Sequence, residues 1–329
     1  AILTPVILYV KKLFDRVDPT NEEIGMIKTE FTNKKRVANV ILMIVTWFFR
    51  IMMFIYALSL IFPILWMIIN SFKGYQEIYV SSSLAFPKTV VIENYVNIFD
   101  KLTYTVYVDS GKIVYDIWAM AYYSLIYALG KALFQSFIYS IVAYAIARYK
   151  NWLTKLLFSL GMALMLIPFT SDGGTGLLLY KKFGIYNNLL AYILVSAGGA
   201  FSGGTFLILK ACFDKLGMSY ADAASLDGAG QFTIMVKIIF PLASPLLSAI
   251  LITSFIGSWN DYGTFLLMLP SYANLALGMY EFQREASLIG ATYPEVLAGF
   301  VIVAIPIVIM FSLTHKLISR NLSLGGLKE

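Results

Sequence analysis

Residues 259–262, Trp-Asn-Asp-Tyr, set a carboxamide and a carboxylate between two aromatic rings near the end of a long apolar run. Asn260 and Asp261 offer donors and acceptors for hydroxyl groups. Trp259 and Tyr262 offer flat apolar faces. That combination suits passage of a sugar, and a shared structural or gating part in a membrane helix is the competing reading. Lys131, Gln135 and Tyr139 stand at i, i+4 and i+8, which places them on one face of a helix. A charge at mid-membrane is costly unless it faces a bundle interior, water or a partner, so the stripe either lines a pathway or hydrogen-bonds to a partner subunit. Nothing in the spacing pairs Lys131 with Asp261. A third segment, SAGGAFSGGTF at 196–206, has Gly199 and Gly203 at small-xxx-small spacing, repeated by Ala200 and Gly204. It fits close helix packing or an unwound stretch that exposes backbone to a pore.

The residue types that are scarce exclude several chemistries. His315 is the sole histidine and Cys212 the sole cysteine, so a His-Glu-x-x-His metal site, an intrachain disulfide and paired-cysteine frameworks are impossible. There is no Gly-x-Ser-x-Gly nucleophile elbow. Gly130-Lys131 is followed by Ala132, so no phosphate-binding loop is formed there. No metal or cofactor of the chain's own is expected.

The elements that must position these residues are membrane helices. Of 329 residues, 59% are apolar and 13% charged, against about a quarter charged in ordinary soluble domains. Apolar runs predict six spans, at 40–69, 117–147, 152–169, 189–211, 242–269 and 295–316. Sixteen Lys and Arg fall in the segments on the side of the two termini and 7 on the other, with Arg50 and Lys131 inside spans. The positive-inside rule then puts both termini in the cytoplasm. Residues 2–10 are apolar but too short to span and precede the basic stretch, so an interfacial helix is expected there and not a signal peptide. Arg50 is expected to snorkel. The basic residues are dispersed among loops without an aromatic-basic platform, so nucleic acid is not an expected partner. The domain reading is a cytoplasmic segment at 1–39, a first helix at 40–69, an extracytoplasmic loop at 70–116 and a core at 117–329. The loop is rich in Tyr and Val, with turn signals, and is expected to form a small element of its own.

Between the fourth and fifth spans, on the cytoplasmic side, runs YADAASLDGAGQFTIMVKIIFPLASP, residues 220–245. Ser219 and Asp222 match a capping box, a helix is expected over about 220–227, Gly228 suits the left-handed position that ends it, and Gly230 can cap a second helix from Gln231. Isolated helices this short are marginal in water, so a partner or tertiary contacts must hold the pair. Tyr220, Ala223, Ala224 and Leu226 give the first helix an apolar side suited to a groove, while a plain membrane-surface connector is the alternative.

Asp222-Ala223-Ala224, three residues, Gly228, nine residues, then Ile238, Phe240 and Pro241 resemble the cytoplasmic signature (Glu-Ala-Ala) of ABC-importer permease subunits. Asp stands for Glu and Phe for Leu. AYAIARYK at 143–150, the 259–262 quartet and the terminal SRNLSLGGLKE are similar to the carbohydrate-uptake group, of the maltose MalG-like type. The resemblance covers about 117 to the end. It implies an all-α polytopic protein of the type I importer kind, with six membrane helices and a cytoplasmic coupling helix pair at 215–241. It also implies a second permease subunit, two ATPase subunits that bind ATP and Mg, an extracytoplasmic binding protein, an oligosaccharide substrate and a bacterial cytoplasmic membrane. Asp222, Ala223, Ala224, Leu226, Gly228, Ile238, Phe240 and Pro241 would form the contact with the ATPases, and the 270–293 loop would reach toward the binding protein. The rival reading is an ion-gradient-driven secondary transporter, which also uses broken helices and buried charges but does not explain the cytoplasmic pair.

Overall fold

The computed structural model describes residues 21–108, 111–166, 174–216 and 219–322. The expected capping hydroxyl of Ser219 and the terminal segment 323–329 lie outside what can be described, as do residues 2–10. Residues 1–66 and 67–329 form two separate units. The first consists, from residue 21, of most of helix α1 (Asn21–Ser71). This helix runs through the expected boundary at residue 40 without a break. From Leu42 to Leu65 every side chain is exposed, an apolar surface suited to lipid or another subunit. The hydroxyls of Thr46 and Ser59 return to carbonyls of their own helix at 2.7 Å, which keeps them satisfied in apolar surroundings.

The second unit is built around α4 (Ile117–Arg148). The Asp116 side chain accepts from the Ala119 amide and starts it. Its buried faces carry Ala128, Ala132, Ser136, Ser140 and Ala143, small residues whose spacing of three or four lets neighbouring backbones approach. Helices α8 (Gly204–Lys215) and α12 (Ser244–Trp259) pack on it, and α15 (Tyr293–Leu322) packs on α12. Three clusters fill the unit. One, near the start of α4, gathers Met120, Phe255, Trp259, Phe282 and Val296; a second, near its end, gathers Tyr144, Phe206, Phe213, Ile234 and Ile239; a third, smaller one gathers Tyr127, Ile193, Phe265, Leu269 and Leu277.

The all-helical expectation needs one correction. Residues 72–116 form helices α2 (Tyr75–Val80) and α3 (Glu93–Lys101) followed by an antiparallel hairpin, β1 (Tyr104–Val108) with β2 (Gly111–Tyr115). The Tyr, Thr, Val and Ile residues of β1 and β2, aromatic or β-branched, favour a pleated strand. The insert is tied down by polar contacts: buried Asn94 donates to the carbonyls of Ser71 at 2.8 Å and Lys73 at 2.9 Å. Asn97 and Lys101 donate to Glu295 at 2.7 and 2.8 Å.

Three helices among the described residues are long and apolar enough to cross a membrane, or four if the bent pair ending in α12 counts as one. They start or lie at Leu42–Ser71, Ile117–Arg148 and Tyr293–Thr314. Of the other expected spans, the fourth and fifth are interrupted among the described residues. The third contributes α5 (Trp152–Leu166) and α6 (Gly174–Lys182) follows it, with 167–173 outside the described residues. The fourth is split into α7 (Leu189–Val195) and α8 by the glycine-rich stretch. The fifth ends as a continuous helix at Trp259, and a short α13 (Tyr262–Leu267) restarts after Asn260 and Asp261. Beyond it, α14 (Leu275–Glu285) is capped by Asn274.

Candidate functional site

At the end of α4 lies the short helix pair. Helix α9 (Ser219–Leu226) is closed by Gly228 at φ +82°, with the Ala229 amide donating to the Ala224 carbonyl at 3.0 Å. This is the left-handed termination the sequence predicts. Gly230 is the cap residue of α10 (Gln231–Ile234), a π-helical turn follows over Met235–Ile239, and α11 is Phe240–Leu242. Pro241 has no amide hydrogen to donate and sits where the chain bends by 83° into α12. Ile238 is half-buried, and Phe240 stacks on Phe213 at 6.4 Å.

The inward contact of α9 is Ala221, fully buried, while Ala223 is exposed and Ala224 half-buried. Asp222 accepts from the Arg148 guanidinium at 2.7 Å, so its carboxylate clamps α9 to the end of α4. Tyr149 donates to Gln231 at 3.2 Å beside it. Tyr220, Leu226 and Phe232 project outward, Leu226 being 91% exposed. Buried Ala221 and Ile234 thus hold the pair, and its outer side is left apolar.

Near the start of α4 the other polar group assembles. Tyr127 donates to Asp261 Oδ2 at 2.7 Å, and Lys131 donates to the Tyr127 hydroxyl at 2.9 Å. Lys131 Nζ is 3.6 Å from Asp261 Oδ2. The Thr264 hydroxyl and amide donate to the same carboxylate at 2.7 and 3.0 Å, so Asp261 is the cap of α13. Lys131 Nζ also lies 5.0 Å from the Tyr127 ring centroid and 6.0 Å from that of Tyr192, a favourable setting for a partly desolvated cation. Opposite charges and ring faces together make a charge in the bundle tolerable.

The other pathway candidates separate. Gln135 donates to Tyr139 at 3.2 Å, continuing the stripe. Trp259 is 1% exposed, donates to the Val303 carbonyl at 3.0 Å and stacks on Phe255, so it is a core side chain and not a pathway lining. Asn260 bonds back to the Ile256 carbonyl at 2.9 Å, and Tyr262 stacks on Tyr280 at 4.6 Å. In the glycine-rich stretch both readings have a part. It is not helical between α7 and α8, with Gly203 at φ +90°. It also packs closely: a Cβ on Gly199 would lie 3.2 Å from the Tyr139 hydroxyl.

Four residues of these sites escape the sequence reading. Tyr127 stands one turn before Lys131 at the stripe's own i, i+4 spacing, so its signal was present. Thr264 stands three residues after Asp261, the usual distance from a cap. Tyr192 has no local signal, and Arg148, although it stands in the 143–150 segment, has none for its pairing, because its partner Asp222 is 74 residues away. At a cavity of about 420 Å³, lined by Lys101, Tyr104, Tyr107, Glu281, Arg284 and Glu285 among others, burial and then the Glu281 carboxylate push the Tyr104 phenol above its ordinary pKa.

Apolar crossing helices, a charge network inside the bundle and an exposed helix pair at the far end of α4 define a polytopic membrane permease. Residues 137–323 match the family described as binding-protein-dependent transport system inner membrane component, and the chain belongs to that family. The chain is similar to the galactooligosaccharides transport system permease protein GanQ of Bacillus subtilis (strain 168), 27% identical over 278 residues, 83% of this chain and 92% of that protein. It is also similar to the arabinooligosaccharides transport system permease protein AraQ of Halalkalibacterium halodurans, 28% identical over 294 residues, 87% of this chain and 97% of that one. The fold resembles that of a bacterial ABC transporter involved in the import of the acidic polysaccharide alginate, with TM-score 0.62, 20% identity, and coverage of 81% of this chain and 93% of that chain.

Proposed function

We propose that this permease forms, with a second permease subunit, the membrane path for an oligosaccharide delivered by an extracytoplasmic binding protein. ATP hydrolysis takes place in two partner ATPase subunits, which dock on α9 and α10. Six crossings, with both termini cytoplasmic, are completed by the interrupted helices between the continuous ones. Sugar is the favoured cargo because the relatives named above are oligosaccharide permeases and the Asp261 network offers hydroxyl-binding groups beside aromatic rings.

The single observation that carries the coupling is the exposed face of α9. Tyr220 and Leu226 project from a helix of 8 residues, too short to be stable on its own, and a groove on a partner accounts for both features. The test is to purify the chain with the proteins that accompany it, identify them by mass, and measure ATP hydrolysis with a panel of oligosaccharides and the binding protein. Two ATPase copies and sugar-stimulated, vanadate-sensitive turnover are expected. Transport by the chain alone, driven by an ion gradient and insensitive to vanadate, would overturn the reading in favour of a secondary transporter.

A further inference from the structure

Among the described residues, two of the three ion pairs that join different elements are made by one helix. At its inner end Arg148 of α4 holds Asp222 of α9. Toward its outer end Tyr127 and Lys131 of α4 hold Asp261, the cap of α13. From Tyr127 to Arg148 the helix covers about 32 Å at 1.5 Å per residue, close to the ~30 Å hydrocarbon core of a bilayer. No proline interrupts it. We infer that α4 is a transmission rod: Lys131, Tyr127 and Asp261 form an outer latch, and the state of that latch is read at the inner helix pair through Arg148 and Asp222. This rests on the proposed ATP-coupled function.

The physical argument is one of stiffness and bistability. Tyr127 is fully buried and its ring meets Phe265 of α13 edge-on at 5.0 Å, so α13 is keyed to α4 by packing as well as by the carboxylate. The Asp261 carboxylate accepts from Tyr127 and from the Thr264 hydroxyl and amide. If α4 moves relative to α13, the Tyr127 and Lys131 contacts break together, while the Thr264 bonds stay with α13. Separating Lys131 from Asp261 inside the bundle leaves two poorly solvated charges, so intermediate positions are disfavoured and the latch has two states. At the inner end, buried Ala221 gives α9 a footing on the cluster that includes Ala143, Tyr144 and Ala147 of α4, and the Arg148 contact completes the grip. A packed helix between two such grips carries a displacement from one to the other. Lys131, Tyr127 and Arg148 are therefore positioning residues: they act through Asp261 and Asp222.

An intact latch opposes the movement that hydrolysis requires, so releasing it frees the ATPases. In the assembled, reconstituted importer without binding protein, Asp261→Asn, and separately Tyr127→Phe, which keeps the ring and removes only the hydroxyl, are expected to raise ATP hydrolysis at least three-fold. Arg148→Ala is expected to raise it similarly, and Arg148→Lys to restore the low rate. The deciding measurement is the double variant Asp261→Asn with Arg148→Ala. One rod predicts a rate equal to that of Arg148→Ala alone, since a latch whose signal cannot arrive has no further effect. Sites this far apart otherwise act independently, so a product of the two single effects, about nine-fold, overturns the inference. So do unchanged rates in Asp261→Asn and Tyr127→Phe. A wild-type complex that lacks ATPase subunits, or that hydrolyses no ATP when sugar and binding protein are supplied, overturns the proposed function instead, which separates the two failures.

Discussion

At the residue scale, one glycine and one carboxylate carry specific demands. Gly228 at φ +82° ends α9 in a conformation that costs an L-residue about 1–2 kcal/mol. Gly228→Leu is therefore expected to displace the α9–α10 junction and to lower recovery of ATPase subunits in co-purification, with transport falling in step. Normal transport by an assembled Gly228→Leu complex would refute the docking role of the pair. Glu295 is 2% exposed and accepts from Lys101, Asn97 and the Thr292 amide. Glu295→Gln turns one acceptor into a donor facing donors, an expected loss of about 1–3 kcal/mol. A lower melting temperature in detergent checks it. The chemistry-bearing residues were legible singly, as a lysine and a carboxylate within apolar runs. Their association was not, because Lys131 and Asp261 are remote in sequence and pair only through the tertiary packing of α4 and α13.

At the element scale, the interruptions matter more than the spans. Gly161 of α5 lies so close to the stretch between α7 and α8 that an added Cβ would fall 1.9 Å from the Phe201 carbonyl oxygen. Backbone cannot yield as a side chain can, so Gly161→Ala is expected to cost about 1–3 kcal/mol, read as a lower melting temperature, whereas Gly204→Ala, with open space around it, should melt as the parent does. In the fourth expected span the sequence left close packing and an unwound stretch both open, and only the structure places the eight residues 196–203 between α7 and α8. The hairpin at 104–115 was visible only as richness in Tyr and Val with turn signals. Its position, beside Glu281 and Arg284 at the cavity of about 420 Å³, depends on contacts that no local pattern encodes.

At the scale of the whole molecule, sidedness is the expectation most readily checked. Cys212 is the only cysteine, so in a Cys212→Ser background each introduced thiol reports alone. Leu226 and Leu288 are 91% and 86% exposed. Leu288→Cys is expected to react with a membrane-impermeant maleimide in intact spheroplasts, and Leu226→Cys only after permeabilisation. The reverse pattern would invert the topology. What the amino-acid sequence by itself determined was which long apolar runs suit lipid and where the glycine ends α9. Burial in lipid needs long apolar runs, cytoplasmic loops concentrate Lys and Arg, and glycine marks a left-handed helix end, all of which depend on neighbours along the chain. What only the tertiary structure decided was which polar groups meet: Arg148 with Asp222 at one end of α4, and Lys131 and Tyr127 with Asp261 toward the other. A buried charge requires a partner, but the identity of that partner is settled by which helices pack together.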